Sequence, residues 1–387
     1  MMQILGRRYD TGEFIDITVA DGRVAGIEQG IPSEDAAWVA PGLVDLQING
    51  YGGTEFNDPE LNVDGILAIG TAMDADGVTS YLPTATTHSK EMLRHVMATL
   101  AAACDSHEVS RRVPGFHLEG PYISREDGPR GAHPLEHCRA PDWDEFRQLQ
   151  EDAGGRIKIL TLSPEFENAP PFIEKVVASG VLVAIGHTAA TSEQIAAAVD
   201  AGARMSTHLG NGAHGLLRRH PNYIWDQLAD DRLVASLIVD GHHLPPAVVK
   251  CLVRGKTLDR CVLISDLVGM AGMPPGEYTN SSVGDIEILD DGRIVVAGQR
   301  QYMAGASLPM TVGIANLMRF ADVPLGTAMD LASRRPAALI DVPCGRLEVG
   351  AVADFILFDL PTDEINTIQV RATVNAGELV FGEFPPK

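Results

Sequence analysis

Residues 181–208 read VLVAIGHTAATSEQIAAAVDAGARMSTH. The short apolar run 181–185 reads as a buried strand, and His187 follows directly. Thr191 with Gln194 three positions later is the signature of a capping box, which places a helix over 192–200. A second short run, 204–207, reads as the next strand, and a histidine, His208, again stands at its end. Strand, helix and strand in so short a span form a parallel unit.

The same alternation extends to both sides. Candidate strands fall at 43–48, 79–84, 115–118, 157–162, 181–185, 204–207, 235–239 and 262–265, with helical stretches between them at 89–103 and 142–152, among others. Eight parallel strands alternating with helices predict an α/β fold of the (β/α)8 barrel type, TIM-like. The connection after the eighth strand is longer. Residues 276–298 carry a hairpin signal at Asp291-Gly292 and read as an inserted β arm, followed by helices near 308–320 and 326–334. The first forty residues alternate apolar and polar around Asp21-Gly22, and the last forty carry strand-like runs at 354–358 and 379–381. These ends predict one small β-sandwich domain built from 1–42 and 341–387, enclosing a catalytic barrel over 43–340.

Composition bounds the function. The chain has 387 residues, 45% hydrophobic and 21% charged, which is globular rather than disordered and long enough for one large domain plus a smaller one. Its 30 Lys and Arg against 52 Asp and Glu give a net charge of −22, a field that repels nucleic acid and anionic membranes. An anionic substrate would meet the same repulsion, so any phosphate site requires a local positive pocket. The five cysteines are scattered, without a C-x-x-C pair, which disfavours a disulfide framework or thiolate zinc site and points to a reducing cytoplasm. Charges near the N-terminus and the lack of a long apolar run predict a soluble, unprocessed protein.

Polar residues close the predicted strands: Gln47 and Asn49, His117 and Glu119, His187, His208, and Asp266. Strand C-termini of a barrel converge on one face, where active sites lie, so these side chains should meet. Glu119, His187 and His208 are a carboxylate and two imidazoles, a set that suits a catalytic divalent ion, zinc foremost, with iron, manganese and cobalt also accepted. A bound ion lowers the pKa of its water from 15.7 to ~7, and Asp266 would serve as base and then as acid toward a leaving nitrogen. Taken singly, a histidine here is more often a hydrogen-bonded structural residue and a strand-end aspartate a cap. Four such residues at four strand ends are not what packing alone produces.

At this point the residues resemble a known family. Pro41-Gly42-Leu43-Val44-Asp45, His117-Leu118-Glu119-Gly120-Pro121, Gly186-His187-Thr188, Thr207-His208-Leu209, Ser265-Asp266 and the tail Gly345-Arg346-Leu347-Glu348-Val349-Gly350 leading to Ala353-Asp354 are similar to those of N-acetylglucosamine-6-phosphate deacetylases in the amidohydrolase superfamily. The resemblance implies hydrolysis of the N-acetyl group of N-acetylglucosamine-6-phosphate to glucosamine-6-phosphate and acetate. It implies Glu119, His187 and His208 as metal ligands and Asp266 as the catalytic acid–base residue. Gln47 and Asn49 stand where many amidohydrolases carry two histidines, which implies one metal ion per subunit rather than two.

By the same resemblance, His133 lies near the sugar and acetyl carbonyl, His243 contacts phosphate, and Asn211 and Gly212 supply donors. Arg219 reaches the phosphate of the neighbouring subunit in a homodimer, and the loop 303–308, with Ala306, closes over the acetyl group. Departures from the family pattern are Asn211-Gly212-Ala213-His214, Arg219-His220-Pro221 and Asp266-Leu267. They leave the metal chemistry intact and the sugar open. A related N-acetyl hexosamine, phosphorylated or not, an N-acyl amino acid, and a catalytically silent binding barrel are the alternatives.

Overall fold

The computed structural model describes residues 2–33, 35–281, 284–298, 303 and 305–384. Among them, eight parallel strands follow one another around a barrel in sequence order: Leu43–Ile48, Val78–Thr86, Phe116–Glu119, Ile157–Leu162, Leu182–Ile185, Met205–Ser206, Val234–Leu237 and Cys261–Leu263. All eight expected strands are present, and the sixth, seventh and eighth end earlier than expected, the seventh at Leu237. The sixth stops at Ser206 because the chain swings into the left-handed region at His208, where φ is 32°. The eighth stops at Leu263, and the amide of Ser265 turns to the Asp45 carboxylate, 3.2 Å from each oxygen.

The first and eighth strands share no continuous ladder. A seam closes them through Asp266 N to Gln47 O at 3.0 Å, Asn49 N to Leu267 O at 2.7 Å and a single parallel bridge between Ile48 and Leu267. Inside the barrel, Val44, Leu46, Leu82, Ile159, Ala184, Met205 and Val262 form one apolar cluster, with Ala337 and Ile340 packed onto it. A larger cluster, including Leu43, Leu93, Phe116, Ile173 and Ile195, fills the layer between strands and helices.

The helices begin where their caps dictate. Ser89 caps Lys90–Ala103, Asp142 caps Trp143–Asp152, and Thr191 with Gln194 makes the expected capping box on Ser192–Asp200. The helix expected over 326–334 is two: Leu325–Leu331, then Arg334–Leu339. Pro336 explains the break, because its ring would clash with the carbonyl of Ala332 in a continuous helix. The inserted arm is a three-stranded antiparallel sheet, Gly276–Ser281, Gly284–Ile288 and Ile294–Val296.

Both termini join one seven-stranded sheet, in the order Glu378–Gly382, Gln369–Asn375, Phe355–Asp359, Trp38–Pro41, Met2–Arg8, Phe14–Ala20 and Arg23–Gln29. Its last edge reaches back through a bridge between Arg23 and Val352, so the sheet folds over a core of Ile17, Val39, Phe355, Leu357 and Val374. Among the described residues no helix is long and apolar enough to cross a membrane.

Candidate active site

The strand ends meet as expected. Glu119 closes the third barrel strand, and His187, His208 and Asp266 follow the fifth, sixth and eighth with φ of 49°, 32° and 56°. A left-handed residue other than glycine costs roughly 1–3 kcal/mol, and such strain collects at functional sites. Here it turns three side chains inward over the barrel mouth.

Glu119 Oε1 lies 3.3 Å from His187 Nε2 and 3.2 Å from His208 Nε2, and the two imidazole nitrogens are 3.0 Å apart. His133 Nε2 stands 3.3 Å from His187 Nε2, and Glu119, His133 and His187 bring ligand atoms within 4.8 Å of one another. Ligand atoms 2.0–2.2 Å from a tetrahedral ion stand about 3.3 Å apart, so the donors have the spacing of a coordination shell. The tautomer of His187 agrees. Its Nδ1–H donates to Pro129 O at 2.8 Å, which leaves Nε2 directed at the cluster, where it would offer its lone pair to a bound ion.

Asp266 stands beside this cluster under two amides. Its Oδ1 accepts from Gln47 Nε2 at 2.9 Å and from Asn49 Nδ2 at 2.8 Å, while the same Gln47 nitrogen donates to Glu119 Oε1 at 3.0 Å. Burial and the nearby Glu119 charge raise the Asp266 carboxyl above its ordinary range. Burial alone would raise Glu119 as well, but hydrogen bonds from His187 and His208 outweigh it and hold Glu119 well below the carboxylate range. His117, in the motif that carries Glu119, is a brace rather than a ligand. Its Nδ1–H donates to Leu46 O at 3.0 Å and its Nε2 accepts from Thr161 at 2.8 Å, and burial pushes it down to about 4.

A cavity of about 610 Å³ opens over these groups, within the range of small-molecule sites. Eight of the chain's twelve histidines line it: His88, His133, His137, His187, His208, His214, His242 and His243. Asn211 and Gly212 also line it. One expected residue does not: Ala306 is fully buried in the barrel's inner apolar cluster. Arg219, expected at the phosphate of a neighbouring subunit, is exposed on the segment after His214. The position of Ala306 follows from its bridge to Leu267, where its carbonyl accepts from Val268 N at 3.1 Å; Met303 and Gly305 face the cavity instead. Ala304 of the same loop lies outside the described residues.

His214, the departure noted in the sequence, is a clasp. Its Nδ1 meets Tyr223 Oη at 2.9 Å and its Nε2 meets Glu126 Oε2 at 3.1 Å, tying the loop after His208 to the loop that carries Pro129 and His133. Neither Glu126 nor Tyr223 was expected from the sequence: Glu126 lies 88 positions from His214, and Tyr223, nine away, belongs to no motif. Asp240, which accepts from His243, was equally unforeseen, although its spacing three residues before that histidine was a signal.

Comparison with known proteins agrees with this face. The sequence pattern of the Amidohydrolase family matches residues 38–380. An N-acetylglucosamine-6-phosphate deacetylase of Bos taurus is 32% identical over 354 residues, covering 89% of this chain and 83% of the relative. An N-acetylgalactosamine-6-phosphate deacetylase of Escherichia coli O157:H7 is 33% identical over 349 residues, covering 89% and 90%. The crystal structure of an N-acetyl-D-glucosamine-6-phosphate deacetylase from Mycobacterium smegmatis superposes with a TM-score of 0.85 at 29% identity, over 98% of this chain and 100% of that one. With its sequence matched from the sheet strand Trp38–Pro41 through the barrel and back into the same sheet, and its polar strand ends gathered on one barrel face, the chain belongs to the amidohydrolase family of hydrolytic enzymes.

Proposed function

We propose that the enzyme hydrolyses the N-acetyl group of N-acetylglucosamine-6-phosphate, releasing acetate and glucosamine-6-phosphate, with one divalent ion held by Glu119, His187 and His208. The observation that carries this is the shell-like spacing of those donors, 3.0–3.3 Å, beside a buried Asp266. The names and coverage of the relatives supply the substrate class. When bound, the ion supplies Lewis acidity, which polarises the amide carbonyl and acidifies the attacking water. Its donor set suits zinc, and iron, manganese or cobalt also fit.

Asp266 takes the proton from that water and delivers it to the amine nitrogen, since an amide anion is a poor leaving group. The amides of Gln47 and Asn49 hold Oδ1, so the other carboxylate oxygen handles the proton. His133 is assigned to the acetyl carbonyl; burial pushes it down to about 3, so it is neutral there and able to donate a hydrogen bond. Asn211, Gly212 and His243 are assigned to the sugar phosphate. Arg219, exposed on the same segment as the 94% exposed Leu216, is assigned to the phosphate bound by a second copy in a homodimer. The domain limits, 1–42, 43–340 and 341–387, and a cytoplasmic location belong to the same proposal.

Gly212 provides a test of the metal centre. Its φ is +55°, and an added Cβ would stand 2.9 Å from His187 Nδ1. Gly212→Ala should push that ring off Pro129 and weaken metal binding about tenfold to a hundredfold, as loss of a partner to a ligand does. Competition against a chromophoric chelator measures the loss, and far-UV circular dichroism should stay unchanged.

The substrate is tested by acetate release from N-acetylglucosamine-6-phosphate, its galactosamine epimer and the unphosphorylated sugar. Preference for the first supports the proposal, and inertness toward all three by a metal-loaded protein rejects the substrate. The epimer is the alternative substrate, favoured by the E. coli relative named for it and by His214 on the cavity wall.

A further inference from the structure

Asp240 and His243 lie in the loop after the seventh barrel strand, Val234–Leu237, and form a closed turn. Asp240 Oδ1 accepts from the backbone amides of His242 and His243, both at 2.9 Å, and Oδ2 meets His243 Nδ1 at 2.7 Å. The Asp240 side chain is 3% exposed and that of His243 is 12%. A carboxylate that receives three N–H groups has no use for its own proton, so it is ionised. With Nδ1 tied to Asp240, Nε2 is the nitrogen of His243 left for the cavity that the ring lines.

We propose that Asp240 is a positioning residue that keeps His243 charged and aimed, and thereby creates the positive element of the phosphate subsite inside a chain of net charge −22. The proposal rests on the cavity being a sugar-phosphate site. Burial favours a neutral His243, but the Asp240 contact outweighs it and raises its proton affinity above the ordinary histidine value, with Asp266 across the mouth adding in the same direction.

Other charges around the loop are already engaged. The packed helix Met310–Ala321 brings Asn316, which donates to Val239 O at 2.9 Å, and Arg319, which donates to Asn316 Oδ1 at 2.7 Å and stacks on Phe320. The β arm brings Asp291, paired with Arg293 at 2.8 Å and facing His242.

The sign follows from the raised value. Phosphate recognition is lost as pH rises through the raised pKa of His243, above the range in which an ordinary histidine would lose its charge. In Asp240→Asn only burial and Asp266 act on the ring, so that loss moves to lower pH.

The test is steady-state kinetics of the metal-loaded enzyme on N-acetylglucosamine-6-phosphate across pH, with inorganic phosphate as competitor and the unphosphorylated sugar as control. Asp240→Asn should raise KM about tenfold or more at pH 7.5, a charge-assisted contact having become a neutral one. It should leave kcat within about twofold, move the alkaline rise in KM to lower pH, and weaken phosphate inhibition by the same factor. His243→Gln should show a similar KM with no such rise, and it serves the test if Asp240→Asn does not fold.

An Asp240→Asn enzyme with wild-type KM and pH profile would overturn the proposal. So would an equal loss on the unphosphorylated sugar, which marks a merely structural role, or a wild-type pH profile in His243→Gln. If the wild-type enzyme shows no preference for the phosphorylated sugar, the sugar-phosphate assignment fails and Asp240's role fails with it.

Discussion

Asp266→Asn should give a folded, metal-loaded protein whose turnover has fallen by about a thousandfold or more. The substitution keeps the shape of the side chain, and its amide oxygen can still accept from Gln47 and Asn49, as Asp266 Oδ1 does at 2.9 and 2.8 Å. What it removes is the capacity to take and return a proton, a contribution typically worth 10²–10⁴ in rate. Metal content by atomic absorption and acetate release on the same preparation separate the two effects. Unchanged metal with lost turnover is the expected pair. Turnover above about a tenth of wild type would remove Asp266 from the proton path.

Glu119→Gln should act on binding rather than on proton transfer. Glu119 is the one anionic donor of the cluster, and its Oε1 lies 3.3 and 3.2 Å from the two imidazoles. An amide keeps the volume and loses the charge that offsets a divalent cation. Metal affinity is expected to fall by about a hundredfold or more, beyond the tenfold to hundredfold seen when only an outer partner of a ligand is lost. Turnover should vanish at substoichiometric metal and return in part when metal is added in excess. Undiminished affinity in a metal titration would show that the ion is held elsewhere.

The eight strands and the quartet Glu119, His187, His208 and Asp266 were legible because each is a local feature, a short apolar run closed by one polar residue. The capping box at Thr191 was legible for the same reason. What escaped is non-local or conformational. The roles of Gln47 and Asn49 as amide donors to Asp266 depend on residues more than two hundred positions away, and the Glu126–His214–Tyr223 clasp joins two loops that the sequence separates. The left-handed turns at His208 and Asp266 leave no mark in apolar periodicity, so the ends of the sixth and eighth strands were set too late, and the apolar pair Ile238-Val239 carried the seventh past its end at Leu237. Ala306 was placed at the cavity by its motif, whereas its bridge to Leu267 turns it into the core.

The seam between the first and eighth strands ties the proposed proton transfer to closure of the barrel. Asp266 receives its backbone partner from Gln47 and its side-chain donors from Gln47 and Asn49, all across that closure. Glu119, His187 and His208 stand at the ends of strands within the continuous ladder, whereas Asp266, the proposed proton carrier, is held only where the first and eighth strands join. Regain of catalysis after dilution from denaturant is therefore expected no earlier than the joining of the ring, whereas regain of metal binding is free to precede it.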